Sequence, residues 1–137
     1  MNFWILKSEP DVYSYDDLVK QGTGTWDGVR NYQARNNLKA MQKGDLALFY
    51  HSNIGKEIVG IVRIEQEAFP DPTVDDARWV AVSVVAEKKL ANPVTLVQLK
   101  SDPSINHIAL VKHSRLSVIP IDKQDFEYVI RLSEHSS

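Results

Sequence analysis

The sequence predicts a single α+β domain, and three observations support this prediction. Segments rich in β-branched and aromatic residues alternate with short segments of helical periodicity along the chain. The 137 residues match the usual size of one domain, and 43% of them are hydrophobic, which is enough to bury a core. No internal repeat, low-complexity segment or linker interrupts them. We therefore expect one domain over residues 1–137, with short helices packed around a sheet.

The chain opens with a predicted strand and a predicted short helix. Residues 3–7 read as a strand, and the Glu-Pro pair at 9–10 stops it. Ser14 then starts a helix, because Asp17 lies three residues later in the position of a capping box. A glycine-containing turn at 22–24 follows this helix.

A second helix is predicted after that turn. The apolar residues Ala34, Leu38 and Met41 recur at helical spacing and predict a helix over about residues 31–42. Gly44 suits its end, because helices often close on a glycine in the left-handed conformation.

The centre of the sheet is predicted from the middle of the chain. Three segments rich in β-branched and aromatic residues favour strands there. These segments cover residues 46–50, 58–65 and 79–87.

The C-terminal part is less regular. Residues 93–100 fit either a strand or a helical turn, and residues 111–121 include another strand. Asp122 is expected to cap a last helix. The apolar residues of that helix expected in the core are Phe126, Val129 and Ile130. Residues 135–137 are expected to fray.

Composition argues against several classes of function. The chain has no cysteine, which removes disulfides, thiolate catalysis and cysteine zinc sites, and its four histidines lack metal-ligand spacing. We therefore expect no metal and no cofactor. The net charge of −2 argues against a protein that coats nucleic acid through bulk electrostatics.

The same sequence shows no sign of a membrane partner. No apolar stretch approaches the roughly 20 residues that a membrane span needs. The first residues lack the charged start of a signal peptide and run directly into a strand pattern. We expect a cytoplasmic protein, and we expect it to be monomeric.

The most informative run is WDGVRNYQARNNL, over residues 26–38. It combines an indole, two guanidinium groups, several carboxamides and a phenol, more chemical variety than a folding element needs. Arg30 and Arg35 carry rigid donor forks that fit planar acceptors or phosphates. Asn31 both donates and accepts, and Trp26 offers a large aromatic face. This mixture is typical of a site that binds a nucleobase.

The run is part of a longer pattern that resembles a known family. The order and spacing of several segments resemble those of the EVE-domain proteins, which are PUA-like. The segments are FWILKSEPDVYSYDDL (3–18), WDGVRNYQARN (26–36), FYHSN (49–53), FPDPT (69–73) and RLSVIPI (115–121). The resemblance covers nearly the whole chain and implies a PUA-like β-barrel of mixed strands with short helices packed around it. It also implies a pocket for a modified base, in a superfamily that includes the methyladenosine-reading YTH domains.

Candidate pocket residues come from three segments. Trp26 follows a glycine-rich turn, so we expect one exposed ring face that stacks on a base, worth about 1–3 kcal/mol; a buried core anchor is the alternative. Tyr50 is expected to form a second aromatic wall. The polar side chains expected to read the rim of the base are Ser8, Asn31, His51, Ser52 and Asn53. The other two tryptophans, Trp4 and Trp79, are expected in the core.

Four cationic residues are candidates for contacts with the nucleic-acid backbone. Arg30 and Arg35 lie in a locally basic segment between residues 27 and 43. Lys7 ends the first strand and, by the resemblance, reaches the mouth of the pocket. Arg115 either pairs with an acidic neighbour or meets the ligand.

Together these features predict a reader of a modified base, a methylated or further modified cytosine or adenine, in DNA or RNA. One alternative is an RNA-binding PUA-like module that flips no base. A weaker alternative is an enzyme of nucleic-acid or nucleotide metabolism. Against it, the adjacent His51 and Ser52 point to opposite faces of a strand, and no hydrolase elbow, P-loop or HExxH motif occurs. We expect no catalytic residue, and a nucleic acid carrying a modified base as the partner.

Overall fold

The computed structural model describes residues 1–113 and 115–135; the predicted fraying of Ser136 and Ser137 lies outside the described residues. Within these ranges the chain forms six strands and five helices. The strands are β1 (Phe3–Ser8), β2 (Thr23–Trp26), β3 (Leu46–His51), β4 (Glu57–Pro70), β5 (Val80–Thr95) and β6 (Val118–Ile121). The helices are α1 (Tyr15–Gln21), α2 (Tyr32–Ala40), α3 (Leu96–Ser101), α4 (Ala109–Lys112) and α5 (Lys123–Glu134).

The strands form one sheet in the order β2-β5-β4-β3-β1-β6. Strands β1 and β3 pair in parallel, and all other neighbours pair antiparallel. The pairing of the long strands β4 and β5 shifts register at several points, and such bulges bend a sheet and increase its twist. The predicted α+β class is confirmed, and the three predicted central strands correspond to β3, β4 and β5.

The expected β-barrel is not closed by hydrogen bonds. Strands β2 and β6 form the two edges of the sheet in the described chain, and α2 contacts both β6 and β5. The side-chain amide of Asn37 on α2 donates to the carbonyl oxygen of Val118 on β6 at 2.7 Å. A helix therefore occupies the gap where a barrel would need a strand, and it pairs part of an otherwise open edge.

The predicted helix starts agree with the structure in two places. Ser14 caps α1: its hydroxyl accepts from the Asp17 amide at 3.1 Å, and the Asp17 carboxylate accepts from the Ser14 amide at 2.9 Å. Asn31 caps α2 through its side-chain oxygen, which accepts from the Ala34 amide at 2.9 Å. Each cap satisfies amides that the first turn of a helix leaves without a partner.

Other element ends differ from the prediction. Helix α2 ends at Ala40, so Gly44 lies beyond it, in the turn to β3, with a φ of +95°. The ambiguous segment 93–100 divides between the end of β5 and α3. Asp122 precedes α5 but makes no side-chain cap.

The core lies between the sheet and the helices. Trp4 is buried as predicted, and its indole N–H donates to the buried Asp45 carboxylate at 3.1 Å. Phe126 and Val129 of α5 are buried, and Ile130 is half-buried. Among residues 1–113 and 115–135, no helix is long and apolar enough to cross a bilayer.

Candidate nucleic-acid interface

A cavity of about 840 Å³ opens between the end of β1, strand β2 and the loop leading into α2. Its volume lies within the range typical of small-ligand pockets, about 300–1,000 Å³. Five sequence-predicted site residues line it: Lys7, Ser8, Trp26, Arg30 and Asn31. Its other lining residues were not among the predicted site residues: Glu9, Val12, Tyr13, Gln21, Thr23, Thr25, Asp27, Gly28, Val29 and Ser117.

Trp26 forms the inner wall of this cavity and is more buried than expected. Strand β2 alternates, so Gly24 and Trp26 turn inward while Thr23 and Thr25 are exposed. The indole meets Phe49 in a T-shaped contact with ring centroids 5.4 Å apart, and only 7% of the residue is exposed. The ring face that was expected to be exposed is therefore mostly covered, as in the alternative of a core anchor, because the core packs against the ring.

Tyr13 forms a second aromatic wall. Its ring packs edge-on with Trp26, with centroids 6.3 Å apart, and its hydroxyl donates to Gln21 at 2.6 Å. A Cβ at Gly24 would collide with this hydroxyl, so the absent side chain at that position admits the ring. Burial raises the pKa of the phenol, as do the nearby charges of Asp17 and Asp27.

Ser8 lies at the cavity, and its hydroxyl proton is already donated in a hydrogen bond. Its hydroxyl donates to the Tyr13 carbonyl oxygen at 2.6 Å, and this bond ties the loop carrying Tyr13 to the end of β1. The hydroxyl oxygen keeps its lone pairs for a ligand donor. Lys7 also lines the cavity, and burial lowers the pKa of its ammonium group.

The segment from Tyr50 to Asn53 does not line the cavity. Tyr50 is buried, and this burial raises its pKa. The Ser52 amide donates to the Ser8 carbonyl oxygen at 2.9 Å, and Asn53 adopts a left-handed φ of +69° in the following turn. These residues position the end of β1, because β1 and β3 end side by side in parallel.

His51 also serves the fold at this place. Its Nε2 accepts from the Tyr15 backbone N–H at 3.1 Å, and its ring packs edge-on with Phe49 at 5.6 Å. Burial lowers the pKa of His51, an effect that Glu57 opposes. Because Nε2 already accepts this bond, His51 is not arranged as a general base for Ser52.

Arg30 is held at the rim of the cavity by a buried carboxylate. Its guanidinium donates to Asp71 at 2.9 Å and to the Thr73 hydroxyl at 3.2 Å, while 40% of the side chain is exposed. Burial would raise the pKa of Asp71, but hydrogen bonds from Thr73, Arg30 and the Gly28 amide hold it well below its ordinary range. Asp71 therefore stays ionised and fixes the loop that carries Arg30.

Arg30 and Arg35 are the ends of a four-residue stack, which we call the arginine–aromatic stack. The Arg35 guanidinium lies 5.0 Å from the Tyr32 ring, Tyr32 stacks on Trp79 at 5.1 Å, and the Arg30 guanidinium lies 5.5 Å from the Trp79 ring. Trp79 is half-buried here rather than in the core as predicted. The stack fixes two guanidinium planes on the surface beside the cavity.

Arg35 brings a positive charge to this surface. Its guanidinium donates to the Asn36 side-chain oxygen at 2.8 Å and to the Arg78 carbonyl oxygen at 3.2 Å. Over the described residues no carboxylate pairs with it, whereas Arg78 is paired with Asp76 at 2.7 Å. The charge of Arg35 is therefore directed to solvent or to a ligand.

The other predicted residues have mixed positions. Asn31 lines the cavity, and with its oxygen engaged in the α2 cap, its amide N–H₂ has no hydrogen bond within ranges 1–113 and 115–135. Arg115 is exposed before β6 and does not line the cavity, although Ser117 does. No group of three His, Asp or Glu side chains is arranged as metal ligands in the part of the chain described.

Comparison with known proteins identifies the family. The family model of the EVE domain matches residues 2–132. Mouse thymocyte nuclear protein 1 is 35% identical over 97% of this chain and 74% of its own length. The crystal structure of human THYN1 with 5-methylcytosine-containing DNA superposes with a TM-score of 0.92 at 33% identity, covering both chains fully. A YTH domain from Zygosaccharomyces rouxii, solved with N6-methyladenosine RNA, shares the fold at a TM-score of 0.59 and 18% identity over 99% and 88% of the chains. The chain therefore belongs to the EVE domain family.

Proposed function

We propose that the protein binds nucleic acid and holds one modified base, a methylated or further modified cytosine or adenine, in the 840 Å³ cavity. The observation that carries the proposal is the placement of Trp26 and Tyr13 in one cavity with Arg30 at its rim. The human relative, whose structure contains 5-methylcytosine DNA, supports it at the level of the family.

The aromatic walls supply the attraction for the base. A base packs against Trp26 and Tyr13 with its edge or its face. A methyl group on the base adds roughly 0.8 kcal/mol to the binding free energy, because it buries one more carbon. Ser8 offers an acceptor, and Asn31 offers a donor, to the polar edge. The base must be single-stranded or flipped out, at a cost of a few kcal/mol. Tyr50, His51, Ser52 and Asn53, expected at the pocket, then act through the strand end that carries Ser8.

The arginine–aromatic stack holds the flanking backbone. Its two guanidinium groups project N–H donors from fixed planes, which suits phosphate oxygens. The Tyr32 ring contacts both the Arg35 guanidinium and the Trp79 ring, so it helps to orient the cation of Arg35. Lys7 contributes a further cation at the cavity mouth. Arg115 stays a predicted phosphate contact outside the cavity.

A binding screen tests the proposal. Short single- and double-stranded DNA and RNA, each with one 5-methylcytosine, one N6-methyladenine or no modification, are titrated by fluorescence anisotropy. We expect one modified strand to bind more tightly than its unmodified counterpart, and the free modified nucleoside to compete. Equal binding of all RNAs without competition would favour the surface-binding RNA module, and turnover of a strand would favour the enzyme. The monomeric state and cytoplasmic location stay predictions.

A further inference from the structure

Asp27 lines the cavity with a carboxylate that no other residue engages. Across the described chain it has no hydrogen bond or ion pair to another residue, and only its own backbone N–H interacts with it. The contrast is Asp71, which accepts hydrogen bonds from Gly28, Arg30 and Thr73 and is fully committed to the fold. Asp27 therefore offers the cavity a hydrogen-bond acceptor that no other described residue uses.

The position of Asp27 makes it relevant to a bound base. It directly follows Trp26, the inner wall, and its charge acts on the phenol of Tyr13, the second wall. Burial raises the pKa of Asp27, and the charge of Asp71 raises it further, whereas Arg30 opposes both. Asp27 is exposed and lines the cavity, so a bound base can reach its carboxylate.

An ionised carboxylate only accepts hydrogen bonds, and this property discriminates between bases. Cytosine and adenine carry an exocyclic amino group that donates, whereas thymine and uracil carry a carbonyl oxygen at the corresponding position. A carbonyl facing the carboxylate leaves two acceptors unpaired and repelling each other. N6-methyladenine and 5-methylcytosine both retain an N–H at the amino group, so methylation does not remove the donor.

We propose that Asp27 accepts a hydrogen bond from the exocyclic amino group of the bound base and so selects amino-bearing bases over carbonyl-bearing ones. This inference rests on the proposed function and adds the residue that sets the base class. Asn31 supplies a complementary donor in the same cavity, as the neighbouring ring nitrogen of cytosine or adenine requires.

A matched pair of ligands tests this selection. One single-stranded DNA carries either 5-methylcytosine or thymine at a single position, since both have the same ring methyl and differ at the amino or carbonyl edge. A second pair carries N6-methyladenine or hypoxanthine. We expect the wild-type protein to prefer the amino-bearing member of at least one pair by about tenfold or more.

Variants assign the preference to Asp27. Asp27→Asn should reduce it to within about threefold, because the amide also donates to a carbonyl. Asp11→Asn is the control, since Asp11 is an exposed carboxylate outside the cavity lining and the change removes the same charge. It should keep the wild-type ratio. Thermal unfolding verifies folding, and Asp27→Ser is the second variant if Asp27→Asn does not fold.

Each outcome supports or overturns the inference. Equal wild-type binding within both pairs, an unchanged ratio in Asp27→Asn, or an equal loss of ratio in Asp11→Asn would overturn the role of Asp27 while leaving the proposed function intact. Binding to none of the strands would overturn the proposed function, and the role of Asp27 with it.

Discussion

At the scale of single residues, burial decides which predicted side chains are available to a ligand. Trp26 and Tyr50 belong to the same predicted pocket, yet both are buried, and only Trp26 retains surface on the cavity. Tyr13, half-buried and beside Trp26, takes the place expected of Tyr50. Asp27 is available to a ligand because it is exposed and no neighbouring residue forms a hydrogen bond with its carboxylate.

Truncating Trp26 should therefore harm folding as well as binding. We expect Trp26→Ala to lower the free energy of unfolding by about 3 kcal/mol or more, since truncation of a buried aromatic leaves a cavity. Urea denaturation measures this loss. The half-buried Trp79→Ala should lose less. A loss below about 1 kcal/mol in Trp26→Ala would contradict the observed burial.

His51 should link stability, rather than base selection, to pH. Its pKa is lowered in the folded state by burial, so the unfolded chain binds the proton more readily and stability falls as the pH falls. The stability that neutral His51 contributes is fully present above the pKa of the unfolded chain, about 6.5. It declines as the pH falls below that value towards the lowered pKa of the folded state. Urea denaturation between about pH 5 and 7.5 measures the slope. His51→Gln should flatten it, and parallel slopes would contradict this role.

At the scale of elements, the arginine–aromatic stack combines residues of α2, the loop before α2 and the residue that precedes β5. Helix α2 contributes Tyr32 and Arg35, and Trp79 directly precedes β5. Arg30 comes from the loop that also lines the cavity, so the stack and the cavity are continuous through this residue. Base reading and backbone contact are therefore carried by different side chains of one surface.

Replacing Arg35 separates these two roles. Arg35→Gln removes a charge from the stack, so modified and unmodified strands should both bind more weakly. The slope of log K against log salt should flatten by about one unit, the share of one phosphate contact. Lys39→Gln is the control, because Lys39 lies on the same helix and is exposed. Loss of discrimination with an unchanged salt slope would place Arg35 in the base pocket.

At the scale of the whole molecule, helix α2 packs against the sheet where the sheet does not close into a barrel. The edge strands β2 and β6 lie at opposite ends of the sheet, and α2 contacts β6 and β5. The residues that directly precede α2 line the cavity. The amide of Asn37 is the polar contact that joins this helix to β6. The cavity thus depends on the seating of α2.

Asn37→Ala tests this dependence. It leaves the Val118 carbonyl oxygen without its partner, and an unsatisfied half-buried acceptor costs about 1–3 kcal/mol. We expect that loss in urea denaturation, together with weaker binding of all strands. Gln33→Ala, an exposed position on the same helix, should change neither quantity. Unchanged stability in Asn37→Ala would show that apolar packing alone seats α2.

The sequence by itself determined the α+β class, the central strands, the cap at Ser14, the start of α2 near Asn31 and the family pattern, because these depend on residues close together in the chain. The tertiary structure decided the open sheet and the composition of the cavity. Those depend on contacts between distant residues: His51 with Tyr15, 36 positions apart, Arg30 with Asp71, 41 positions apart, and the stacked pair Tyr32 and Trp79. Periodicity and local motifs report which residues can alternate or cap, but burial by a distant partner determines whether a polar or aromatic side chain remains free to meet a ligand.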